Sequence, residues 1–412
     1  MRTLPVLGLV LLGWAACGED PLEELEARAA DCPEQAPVRL GAAPSTAVLL
    51  NAYYLQEEAA RDLRQGRAES PLLEETLAKA GALGAWGIRT NGFNDAPEKH
   101  GDTTVQLSPG VYDEISFRGL DLVLTRAHHH GVKLVLTLGN YWNAYGGTRQ
   151  YVAWAGLPSP QEGDPRFFTE REVIGHFKQS VLHTLSRVNT FDGIRYGEHP
   201  AVLGWELLNE PRGTGLDRQG TAMRAWVDEV ASVVKAHAPG HLVGTGEEGF
   251  DASRQGYDEA FWEGVPASWL FEASASFRRN TASPFIDFGS AHFYPELWGI
   301  PGEATAEAGA RWISDHTALA GELGKPLFLG EFGLRNLDGF PLEERRALYR
   351  GWLRCAWRAG TGGIAPWMFS YDARPDAWDD FTFYFRDGTT PEDPRNRYAD
   401  LVIEAAGRAG TR

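Results

Sequence analysis

From residue 47 onward, short runs of β-branched and apolar residues alternate with longer segments whose apolar positions recur every three or four residues. The short runs span residues 47–55, 85–93, 133–142, 202–211, 242–249, 287–295, 326–333 and 363–369, and each predicts a strand. Unbroken apolar stretches such as Leu134-Val135-Leu136 suit a parallel sheet covered on both faces. Between the runs lie helical stripes: Leu72, Leu73, Leu77, Ala80 and Leu83; Phe117, Leu120, Leu124 and Ala127; Ala225, Val227, Val230, Val233 and Val234; Trp312, Ile313, His316 and Leu319. Gly131, Pro239-Gly240 and Gly324 stand where such helices should stop. Eight βα units spaced roughly 40 residues apart predict a closed (β/α)8 TIM barrel in preference to an open doubly wound sheet. No G-x-G-x-x-G follows the first strand, so a dinucleotide-binding fold lacks its main support. The longest insertion, residues 143–168, follows the third strand and carries Tyr145, Tyr151, Trp154, Phe167 and Phe168. Such loops are where barrel enzymes shape their clefts. With no repeat beyond the βα unit and no low-complexity linker, residues 41–412 read as a single catalytic domain with extended βα loops.

The first 40 residues stand apart. Arg2, an apolar run from Leu4 to Leu12 and the small residues before Cys17 resemble a bacterial lipoprotein signal, with Cys17 as the acylated residue. Trp14 departs from the usual aliphatic residue there and leaves ordinary signal cleavage open. Residues 18–40 are polar and acidic and predict a tether. The expected location is therefore outside the cytoplasm, secreted or at the cell surface, with membrane contact only through a lipid at Cys17. Cys32 and Cys355 are expected as unpaired thiols, with a disulfide between them as the alternative.

A formal charge of −17, from 39 basic and 56 acidic residues, argues against nucleic acid or an anionic membrane surface as partner. A neutral polymer is compatible with it. Fourteen Trp and thirteen Tyr provide flat faces that can stack on sugar rings, although most aromatic residues belong to the core. His128-His129-His130 precedes Gly131 at a helix end, where histidines suit the helix dipole; no Cys/His metal spacing occurs.

Two carboxylates carry the chemistry. Trp205-Glu206-Leu207-Leu208-Asn209-Glu210-Pro211 ends the fourth strand and Leu327-Phe328-Leu329-Gly330-Glu331-Phe332-Gly333 the seventh, so Glu210 and Glu331 belong at the C-terminal mouth of the barrel. Either one alone could be a structural ion-pair partner. Two facing each other fit a glycoside hydrolase, in which one carboxyl protonates the leaving oxygen while the other attacks the anomeric carbon. Asn209, adjacent to Glu210, is placed to hydrogen-bond a sugar 2-hydroxyl.

These stretches resemble glycoside hydrolase family 5, and most closely its endo-β-1,4-mannanases. The likeness continues through Arg89 to Asp95, Leu107 to Glu114, Trp142 to Gly147, Gly246 to Phe250, His292 to Pro295 and Lys325 to Leu334, in family order. It implies retaining cleavage of internal β-1,4 bonds in mannan, glucomannan or galactomannan by a monomer, with Glu331 as nucleophile, Glu210 as acid/base, and no metal or organic cofactor. It further implies that Arg89 supports the nucleophile and that His292 and Tyr294 hold the catalytic pair. Trp367 would be the floor under the cleaved sugar, Arg212 and Glu248 would bind on the leaving-group side, and Asn140, Trp142 and Tyr54 would line the cleft. Two positions depart from the pattern: Asn91 stands where the subfamily usually has Trp, and Tyr141 where it has Asn. Both touch expected substrate subsites. Alternatives on the same barrel are a β-1,4-glucanase, an exo-acting β-mannosidase, or a catalytically silent glycan-binding protein; the last has no need of two opposed carboxylates.

Overall fold

The computed structural model describes residues 20–251, 273, 275–335, 340–371, 381–386 and 398–409. Eight parallel strands form the barrel: β1 (Ala47–Asn51), β2 (Gly87–Asn91), β3 (Lys133–Thr137), β4 (Val202–Glu206), β5 (Leu242–Gly244), β6 (Gly289–Phe293), β7 (Leu327–Phe332) and β8 (Gly363–Ile364). Hydrogen bonding runs in the order β5-β4-β3-β2-β1-β8-β7-β6. A parallel bridge between Gly244 and Phe288 closes the ring. The Phe288 ring lies 2.2 Å from where a Cβ on Gly244 would stand, so only glycine lets these two edges meet. The strands are shorter than the apolar runs that predicted them because the last residues of each run turn out into the mouth as loop.

Among the described residues, nine principal helices accompany the strands: α1 (Pro21–Ala29), α2 (Leu55–Arg64), α3 (Pro71–Ala82), α4 (Glu114–His129), α5 (Arg171–Ser186), α6 (Thr221–His237), α7 (Thr305–Glu322), α8 (Leu342–Ala359) and α9 (Ala399–Ala409). The expected stripes face inward: Leu73, Leu77 and Ala80 on α3, and Trp312, Ile313, His316 and Leu319 on α7, are buried. Two cores result. Leu49, Val135, Phe288 and Phe328 fill the barrel lumen, while the larger core lies between strands and helices. Along β1, Ala47 and Leu49 fill the lumen, and Asn51, next on the same face, reaches the floor of the mouth.

Three sequence expectations give way here. Residues 20–40 are not a tether. α1 packs on α7 and α8, pairing Arg28 with Glu307 and Glu26 with Arg350 and Arg354. Ala29 meets α8 at Gly351, where a Cβ would come within 2.4 Å of it, and Leu40 sits in the lumen cluster. Cys32 and Cys355 are not free thiols: they form a disulfide with their Cα atoms 5.2 Å apart, because α1 delivers Cys32 onto α8. The long β3 insertion mostly does not face the cleft. Tyr151, Phe167 and Phe168 are buried with Phe177 and Trp226, and only its first residues reach the mouth. Cys17 and the apolar run before it lie outside the described residues. Among those described, no helix is long and apolar enough to cross a membrane.

Candidate active site

Local backbone geometry aims both glutamates into the mouth. Between the pairs Ala291–Leu329 and His292–Glu331 the register of β6 and β7 shifts, which makes Gly330 an extra residue and turns Glu331 inward. A Cβ on Gly330 would lie 3.1 Å from His292 Nε2, so glycine also lets β7 pass close to that ring. Glu210 has φ +51°, a left-handed backbone that costs about 1–2 kcal/mol in a residue with a side chain. Its N–H donates to Gly246 O at 2.8 Å, which holds that turn in place.

The groups converge closely. A carboxylate oxygen of Glu210, Nδ1 of His292 and a carboxylate oxygen of Glu331 all lie within 4.8 Å of one another. Arg89, buried beneath, donates Nη1 to Glu331 at 2.6 Å, Nη2 to Asn209 at 2.8 Å and Nε to Glu206 at 2.7 Å. The Tyr294 hydroxyl donates to the other oxygen of Glu331 at 2.6 Å. Glu210 accepts from Trp142 Nε1 at 2.6 Å and faces His292 Nδ1 at 2.8 Å. Arg212 grips Glu248 through two hydrogen bonds of 2.6 and 2.7 Å, with its guanidinium 4.7 Å from the Trp142 ring centre. Asn209 donates to Asn140 at 3.1 Å. A cation could fit the spacing of the central trio, but the fixed charge of Arg89 against Glu331 opposes it.

The protonation of this set is shared. Burial pushes the Glu210 carboxyl up, but His292, Arg212 and Trp142 outweigh it and hold it well below the usual carboxylate range. Burial pushes the His292 imidazole down, but Glu331 and Glu210 on either side raise it. Glu331 is pushed up by burial, against the pull of His292, Arg89 and Tyr294. The imidazole, raised by a carboxylate on either side, is thus a favoured seat of a proton among the three groups.

Eleven of the residues singled out from sequence meet around one cleft of about 1200 Å³ across the barrel mouth, ten on its walls and His292 just behind Glu210. Tyr54 does not join them. It is fully buried and donates its hydroxyl to Phe369 O at 3.0 Å, while its neighbour Tyr53 lines the cleft and stacks on Trp367 at 5.4 Å. Adjacent tyrosines in a turn point opposite ways, and sequence does not say which faces in. Of the two departures, Asn91 lines the cleft and is bonded to Thr137 at 3.1 Å. Tyr141 is buried under the β3 loop, its hydroxyl 2.1 Å from the site of a Cβ on Gly163, and takes no place in the wall. Tyr145, from the β3 insertion, lines the cleft as expected, whereas Asn51, Tyr53, Glu57 and, beneath the floor, Glu206 were not anticipated. The polar end of an apolar strand was the available signal for Asn51 and Glu206.

A model of the family described as GH family 5 beta-mannosidase-like matches residues 88–350. The chain belongs to glycoside hydrolase family 5. It is 36% identical over 304 residues to mannan endo-1,4-beta-mannosidase 1 of Oryza sativa subsp. japonica, covering 73% of this chain and 67% of that protein. It is 31% identical to mannan endo-1,4-beta-mannosidase 3 of Arabidopsis thaliana, covering 80% and 78%. Its structure is similar to that of the endo-beta-1,4-mannanase from Thermotoga petrophila, with TM-score 0.78 and 28% identity over 91% of this chain and 79% of that one. As a family member the chain is a glycoside hydrolase on a (β/α)8 barrel.

Proposed function

We propose that this enzyme cleaves internal β-1,4 bonds of mannan-type polysaccharides with retention, Glu331 acting as nucleophile and Glu210 as acid/base. The approach of the two carboxylates to within 4.8 Å carries the reading. A retaining enzyme needs its carboxyl groups about 5–5.5 Å apart, whereas an inverting one leaves room for water between them. The likeness to endo-mannanases supports the substrate.

The roles follow from what each glutamate touches. Glu331 receives a permanently charged guanidinium on one oxygen and a phenol on the other, which favours the ionised form a nucleophile requires. Glu210 is held ionised chiefly by His292, itself a proton carrier. Once that proton passes to Glu210, the attraction is gone and burial favours the neutral acid. Glu331 then attacks the anomeric carbon as Glu210 protonates the leaving oxygen. With Glu331 esterified, Glu210 takes a proton from a water whose oxygen bonds to the anomeric carbon as the bond to Glu331 breaks, which releases the sugar with its original configuration. Arg212 and Glu248, beside Glu210, are suited to the leaving-group sugar, Trp367 to the floor under the cleaved one, and Asn209, Asn140 and Trp142 to the walls. Glu331→Ala is expected to abolish turnover on a panel of polymers. Glu210→Ala should keep the first step only for activated aryl glycosides, with azide restoring the second. Equal loss in both variants without azide rescue would refute the assignment, and carboxymethyl cellulose cut as fast as mannan would refute the substrate.

We also read the chain as exported, with Cys17 as its acylation site. The N-terminal apolar run supports this, as does the Cys32–Cys355 disulfide, since such bonds persist in oxidising compartments. Cys17→Ser should move the mature protein from the detergent phase to the aqueous phase. Wild-type protein already in the aqueous phase would remove the anchor.

A further inference from the structure

We propose that Tyr53, Glu57, His100 and Tyr145 form a sugar-binding subsite at the β1 side of the cleft, taking a hexose unit of the polymer beyond the ring that rests on Trp367. The inference rests on the polysaccharide-cleaving reading above and adds where the non-reducing part of the chain is held.

Direction comes from the ring of strands. β1 and β5 are opposite one another in an eight-stranded ring closed between β5 and β6. The Arg212–Glu248 pair follows β4 and β5 and lies beside Glu210, the proton donor, so the leaving group extends that way. The other part of the substrate therefore runs toward β1. There Tyr53, stacked on Trp367 with 11° between the rings, continues the aromatic floor.

One helical turn beyond Tyr53 stands Glu57, whose side chain is only 7% exposed although it lines the cleft. Its Oε1 accepts from His100 Nδ1 at 2.9 Å, from the Thr103 hydroxyl at 3.3 Å and from Arg61 at 3.3 Å. Its Oε2 accepts from the Tyr145 hydroxyl at 2.8 Å. Oε1 carries three of these contacts, while Oε2, met among the described residues by Tyr145 only, retains an acceptor position. The His100 ring lies flat on Tyr145, centres 4.5 Å apart and 14° between planes. Tyr145 itself has φ +58° and is held there by Asp95 N–H donating to its carbonyl at 2.8 Å. A left-handed tyrosine and a nearly desolvated carboxylate are both unfavourable unless the surroundings use them. Here they assemble aromatic faces around a fixed acceptor in an open cleft, the combination that receives a pyranose ring and its hydroxyls. This surface lies across the mouth from the leaving-group side and shares the cleft wall with Asn91.

The test uses a β-1,4-mannohexaose labelled at its reducing end and an activated aryl β-mannoside, whose single sugar stops at the ring on Trp367. Glu57→Gln should lower the ratio of kcat/KM for the hexasaccharide over the aryl mannoside about tenfold. It should also move the cut toward the non-reducing end, because a distal contact no longer favours deep binding. His100→Ala, on a partly exposed side chain, should shift the cut in the same direction. An equal loss on both substrates with the cut unmoved in both variants would make the cluster a brace for the β3 loop and overturn the subsite. Failure of the wild-type enzyme to cleave these sugars would instead overturn the mannan reading. The same ratio and cut position, measured on oligosaccharides of the polymer it does cleave, would then decide the subsite.

Discussion

His292 stands between two carboxylates, and in the proposed mechanism that position controls when Glu210 can act as an acid. Its Nδ1 lies 2.8 Å from Glu210 and 3.7 Å from Glu331, and both raise the imidazole above its ordinary value. In that mechanism the proton for leaving-group departure is held by the Glu210–His292 pair, which titrates as a unit. Activity that depends on this proton is present below the raised imidazole value and lost as the pH rises through it. His292→Gln removes the carrier and leaves Glu210 to hold the proton alone. The alkaline limb of kcat/KM against pH is then expected to move to lower pH. An unmoved limb would show that His292 carries no catalytic proton. Residue-level reading of the sequence reached both glutamates, because charged residues at the ends of apolar strands are conspicuous, while Arg89 came only through the family resemblance. It misplaced Tyr54, and it passed over Glu57, which hides in the polar run Gln56-Glu57-Glu58.

At the scale of elements, the strands and amphipathic helices were legible because each buries a periodic apolar face. α1 was not. Its sequence is acidic and polar, and only Ala29 of its nine residues is fully covered. What holds it is long-range: ion pairs to α7 and α8 and a disulfide to a cysteine 323 residues away. No local pattern reports such partners. Closing so long a loop should stabilise the fold by about 2–5 kcal/mol. The double variant Cys32→Ala/Cys355→Ala should therefore unfold at lower denaturant concentration while keeping its kcat, since both cysteines lie outside the barrel mouth. An unchanged midpoint would mean that α1 stays docked through its ion pairs alone.

The whole molecule is a floor-to-mouth hierarchy. Leu40 and the lumen residues fill the base, Arg89 and Glu206 form a charged layer above them, and the catalytic pair stands on that layer. Breaking such a buried ion pair from one side costs about 3–5 kcal/mol, so the layer fixes Glu331 firmly. Its two ends, Arg212–Glu248 near β5 and Glu57–His100 near β1, give the cleft a direction as well as a centre. The central claim is that Glu331 forms a covalent bond to the sugar. A 2-deoxy-2-fluoro mannosyl fluoride slows release of that intermediate, and peptide mapping by mass spectrometry then locates the label. The label is expected on the peptide containing Glu331. A label on Glu210, or turnover with no labelled peptide and an inverted first-formed sugar, would contradict the account.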